Sequence, residues 1–93
     1  MTLNDEYKLL VESYFGILEV NEYDLKEYVL KKIEKLINDF ENTYKDIDYK
    51  EIKEYVKENV DIKTKLQSSL ITLNNINESM ELILLIKDKL KNL

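Results

Sequence analysis

The sequence predicts an all-α fold, a compact antiparallel bundle of three to four helices. Three observations predict it. Apolar residues recur at steps of three and four along nearly the whole chain. Helix breakers are almost missing, since there is no proline and Gly16 is the only glycine. Asparagine and aspartate punctuate the apolar pattern where helix caps are needed. The 93 residues fit one domain, residues 1–93.

The first helix carries Leu3, Tyr7, Leu10, Val11, Tyr14, Phe15 and Leu18 on one stripe. Thr2 or Asn4 caps it, and the acids of its first turn favour the helix dipole. Gly16 sits inside this pattern, where glycine costs up to ~1 kcal/mol relative to alanine. Close approach of a neighbouring helix, or fraying of the last turn, accounts for it. A second helix opens at Asn21 and presents Leu25, Tyr28, Val29, Ile33, Leu36, Ile37, Phe40 and Tyr44. It ends near residues 42–46.

Asp48 followed by Glu51 reads as an acidic capping box for a shorter third helix, with Ile52, Tyr55 and Val56 inward. Asp61 caps the next helical segment. In the last third, Ile62, Leu66, Leu70, Leu73, Ile76, Met80 and Leu84 keep helical spacing. One long helix of about 30 residues would span roughly 45 Å. A break or kink at Asn74-Asn75, with Asn75 recapping and Glu78 three residues on, is preferred, because adjacent asparagines are poor helix residues. The expected core is Leu10, Tyr14, Leu18, Val29, Ile33, Leu36, Phe40, Ile52, Val56, Leu66, Leu70, Leu73, Met80 and Leu84.

Composition narrows the chemistry. With no cysteine there is no disulfide, and with no histidine the usual zinc ligand and general base are missing. A single glycine cannot build a phosphate cradle. Asp46, Asp48, Glu51 and Glu54 lack the spacing of a calcium loop and read as a solvated helix start. No catalytic, cofactor-binding or metal-ligating set is expected.

The net charge of −5 is concentrated. Residues 1–24 hold 1 lysine and 6 acids, so the remaining 13 lysines and 13 acids of the chain cancel. An acidic head of this kind opposes phosphate-backbone binding and adsorption to anionic membrane. The start of the chain is acidic and interrupted rather than basic and apolar, and the longest apolar run, Leu82–Ile86, is far shorter than a spanning helix. The expected location is cytoplasmic.

Two residue groups stand out as contact candidates. The first is the acidic head with its off-stripe tyrosine: Glu12, Glu19, Glu22, Tyr23 and Asp24. Tyr49 is also off-stripe, whereas Tyr7, Tyr14, Tyr28, Tyr44 and Tyr55 belong to the core edge. The second group is Leu82, Ile83, Leu85 and Ile86. These residues belong to an all-apolar run, including Leu84, that cannot all face one small core and is a candidate oligomer interface.

The function expected on these grounds is a non-enzymatic protein-binding module. Small inhibitors and immunity-type regulators of AT-rich bacteria or their mobile elements share this profile, an analogy of architecture only. Its partner would be a protein with a basic surface. The alternatives are a self-assembling helical scaffold and, less favoured, a nucleic-acid-associated regulator using Tyr28, Lys31, Lys32 and Lys35.

Overall fold

The computed structural model describes residues 2–21 and 23–93. Among these residues the fold is all-α, with five helices and no strand. They are α1 (Leu3–Leu18), α2 (Lys26–Thr43), α3 (Tyr49–Asn59), α4 (Ile62–Asn75) and α5 (Met80–Lys91). The molecule measures 37 × 24 × 21 Å along its principal axes.

Three of the five expected helix starts are in place. Thr2 Oγ1 accepts from the Asp5 amide at 3.1 Å, and Asp5 returns a carboxylate to the Thr2 amide at 3.4 Å. Asp48 accepts from the Glu51 amide at 3.1 Å, and Asp61 from the Thr64 amide at 2.8 Å. That bond holds the Asp61 carboxyl below its ordinary range. The second helix is a correction. It starts at Lys26 rather than Asn21, because residues 23–25 form a turn closed by the Lys26 amide on the Tyr23 carbonyl at 3.2 Å.

The expected count of three to four helices is also corrected, to five. The last third breaks, as the paired asparagines suggest, but Asn75 does not recap it. Asn77 takes a left-handed conformation, φ 53°, which asparagine tolerates better than most residues. Ser79 then caps α5, its hydroxyl accepting from the Leu82 amide at 3.3 Å.

Helix α1 is central and packs against α2, α3 and α4, while α5 packs on α4. Tyr7 meets Phe40 near the end of α2, and Lys26 at its start reaches the Leu18 carbonyl, so α2 runs antiparallel to α1. Ser13 meets Ser68 and Thr72 while Gly16 faces Lys65, so α4 is antiparallel too. The deepest contact is a seam of small polar residues between α1 and α4. The Ser13 hydroxyl lies 2.8 Å from the Ser68 carbonyl and 2.6 Å from the Thr72 hydroxyl. Ser69 donates to the Ser13 carbonyl at 2.9 Å, and Ser68 donates to Glu12 at 2.7 Å. Small side chains let the two backbones approach, and each buried hydroxyl keeps a partner. Gly16 lies in this contact, where a methyl group would overlap Ser69 and the Lys65 carbonyl of α4, which supports its reading as a helix-contact residue.

The core differs from expectation at its edges. Leu18, Met80 and Leu84 are 38%, 68% and 58% exposed. Ile17 is fully buried in place of Leu18, because the α4 contact rotates the inner face of α1 toward Ser13 and Gly16. The tyrosines are partly exchanged as well. Tyr28, Tyr44 and Tyr55 lie outside, while Tyr23 is buried and Tyr49 packs 4.5 Å from the Tyr7 ring.

Candidate functional site

The acidic head does not form one patch. Glu12 points inward and is 6% exposed, bound by Ser68 and paired with Lys8 at 3.7 Å. It is a seam residue rather than a docking residue. Tyr23 is likewise a structural residue, its hydroxyl donating to Ser79 at 2.6 Å and so tying the α1–α2 turn to the start of α5. Glu22 lies outside the described residues. Glu19 and Asp24 are exposed.

The C-terminal apolar run is corrected in the same way. Leu82, Ile83 and Ile86 are buried within the chain's own core, so they are not free for an oligomer interface. Leu85 is half-buried, and Leu84 alone of the five is strongly exposed. The run is accommodated because α5 is buried on a wide arc.

What the structure brings together is Glu19 from the head and Leu85 from the run. Both line a cleft of about 310 Å³ with Val20, Asn21, Asp88, Lys89 and Asn92. The floor is aliphatic, since Val20 is 5% exposed. The rim carries two carboxylates, two amides and one ammonium.

The backbone adds to this electrostatics. Helix α1 ends at Leu18 and α5 at Lys91, so both C-terminal ends converge on the cleft. Each presents the negative end of a helix dipole, with its last carbonyls largely taken up by the amides that follow: Glu19 and Val20 on Gly16 and Ile17, and Asn92 and Leu93 on Lys89 and Leu90. The last turn of α1 holds no basic residue. Lys26, from the next helix, reaches the Leu18 carbonyl at 3.4 Å. No group of three metal-binding side chains occurs among the described residues.

A second polar cluster lies at the edge of the core. The Tyr7 hydroxyl donates to Glu41 at 2.6 Å, and Glu41 pairs with Lys53 at 2.9 Å, linking α1, α2 and α3. Burial opposes ionisation of Glu41, but the Tyr7 hydroxyl and the Lys53 ammonium together outweigh it and hold the carboxyl below its usual range. Burial, and then Glu41, push the Tyr7 hydroxyl far above its ordinary value. The unfolded chain therefore loses this proton near pH 10 while the folded chain keeps it. Stability is full below that pH and falls as pH rises above it. A chemical denaturation series from pH 8 to 11.5 should show the loss, and Tyr7→Phe should flatten it. An equal slope in both proteins would place the alkaline effect elsewhere.

Comparison with protein families, with curated proteins and with solved structures finds no match for this chain. No helix of the described residues is long and apolar enough to cross a membrane.

Proposed function

We propose that this chain is a non-enzymatic protein-binding module, of the small inhibitor or immunity-regulator type, that engages a basic surface on another protein. The observation that carries the reading is the corner where two helix C-termini meet Glu19 and Asp88. Asp24, exposed in the adjoining turn, extends the same negative field. The contact set is therefore Glu19, Asp24 and Asp88, with Asn21 and Asn92 as directional hydrogen-bonding groups. Complementary charge of this kind acts mainly on association rate and on partner choice. Lys89 on the rim limits the range of that field and favours a partner that places one or two cations at the corner over a broad basic face.

The test is purification of the tagged chain from its source cells after nuclease treatment, alongside the Glu19→Lys/Asp24→Lys/Asp88→Lys variant. The native chain should retain one stoichiometric protein, and the variant should lose it. With that partner in hand, charge reversal should slow association at least ~10-fold at low salt and remove its salt dependence. An unchanged association rate would show that the corner is not the contact. Recovery of the bait alone would count against the reading as a whole.

A further inference from the structure

The α2–α4 face of the molecule has a hollow beside a ridge. Its floor is α1, and α5 occupies only part of it. Glu78, just before α5, bonds Lys32 of α2 at 2.6 Å, and α5 packs on α4, so α5 lies between these two helices. Leu36 lies one turn beyond Lys32 on the same side of α2. There the space is open, a hollow of about 370 Å³ lined by Leu9, Leu10, Leu36, Phe40, Ile71 and Ile76. Glu6 is the one charged residue on its wall, at the end remote from α5. Ile71 on the rim is 50% exposed.

The ridge is the outer face of α5. Met80 and Leu84 stand on it one turn apart, 68% and 58% exposed. Lys87 and Lys91 continue the same stripe at helical spacing. The stripe runs away from the hollow, because α5 returns antiparallel to α4 and ends beside Glu19.

We infer that this face is a homodimer interface in which the Met80–Leu84 ridge of each copy fills the hollow of the other. A hollow next to a ridge on one face is self-complementary about a two-fold axis passing between them. The order of residues agrees on both sides of that axis. Met80 lies nearest it on the ridge, and Leu36 and Ile71 nearest it in the hollow, one turn beyond the Lys32–Glu78 pair. Leu84 is then opposite Leu10, Phe40 and Ile76, and Lys87 is opposite Glu6, at the far end. Apolar groups meet apolar groups, and the single acid of the hollow meets the first cation of the ridge. The occupant is thus a second copy of this chain. The corner at Glu19 and Asp24 is not part of the contact, so this inference stands independently of the proposed partner surface.

The test is the mass of the full-length chain in solution, by sedimentation equilibrium from 1 to 500 μM. Dimer is expected at the upper concentrations. Leu84→Glu and Ile71→Glu, both at exposed positions, should keep their helical circular dichroism and raise the dimer dissociation constant at least ~100-fold. Glu6→Lys and Lys87→Glu should each weaken the dimer about tenfold, and the double variant Glu6→Lys/Lys87→Glu should restore it. Glu19→Lys/Asp24→Lys should leave it unchanged. A native chain that stays monomeric at 500 μM would overturn the inference. So would a dimer that survives Leu84→Glu, or a double charge swap that fails to recover.

Discussion

Gly16→Ala should lower the stability of this protein by about 2–3 kcal/mol, although alanine is the better helix former. The gain in helix propensity is about 1 kcal/mol. Against it stands the added methyl group, which would overlap the Ser69 hydroxyl and the Lys65 carbonyl oxygen and lie 2.8 Å from the Lys65 carbonyl carbon. The hydroxyl could rotate away, but the carbonyl belongs to the α4 backbone. Helices α1 and α4 would have to separate, and the seam bonds of Ser13 and Ser69 would lengthen together. Overpacking typically costs about 1–3 kcal/mol, occasionally more; overlap with backbone that cannot rotate away puts this site at the top of that range, about 3–4 kcal/mol, before the propensity gain is subtracted. For a chain of this size the thermal midpoint should fall by roughly 10–20 °C. Because the obstacle is backbone, Ser69→Gly should not rescue it. A midpoint equal to or above that of the native protein would mean that the helices are not in this contact.

The second large effect is expected at Tyr7. It is fully buried, and its ring lies 5.5 Å from Phe40 and 4.5 Å from Tyr49. Tyr7→Ala removes the ring on which α1, α2 and α3 converge. Truncating a buried aromatic costs about 3–5 kcal/mol, comparable to the whole margin of a small domain, about 5–15 kcal/mol. The variant should be largely unfolded at 37 °C by near-ultraviolet circular dichroism. Tyr7→Phe keeps the ring and loses one hydrogen bond to a carboxylate, at about 1.5–3 kcal/mol. Glu41 still holds Lys53, so the phenylalanine variant should remain folded. If both variants lost equal stability, the hydroxyl rather than the ring would be the dominant contribution.

The parts of the fold that follow local rules were legible in the sequence. Thr2, Asp48 and Asp61 cap helices because a short acceptor side chain satisfies an amide three residues on, whatever the tertiary context. The break after Asn75 was legible for a different local reason, since adjacent asparagines are poor helix residues. The central seam was not. Ranking positions by hydrophobicity sends serine and threonine to solvent, whereas Ser13, Ser68, Ser69 and Thr72 are buried because they are small and can bond to backbone across the contact. The signal in the sequence was size: Ser13 and Gly16 are three apart on one helix, and Ser69 and Thr72 three apart on another.

The candidate site was only half legible. Charges adjacent in sequence separate in a helix, and Glu6 and Glu19 are about 20 Å apart along α1 at 1.5 Å per residue. Tyr23 falls in a turn, where helical periodicity says nothing about direction. Asp88 joins Glu19 only through the return of α5, which no local pattern encodes.

The pairing of α1 with α4 also separates the order of synthesis from the order of assembly. The seam joins residues 55 to 59 positions apart, and α2 and α3 lie between them in the chain. At about 5–20 residues per second, the ribosome finishes α1 roughly 3–11 s before it finishes the matching part of α4. Through that interval the central helix of the fold has made only the contacts that α2 and α3 can offer. The hydroxyls of Ser13 and the face around Gly16 stay wet until α4 arrives. Translation rate, and not only chain chemistry, therefore sets how long the newborn protein displays its future interior.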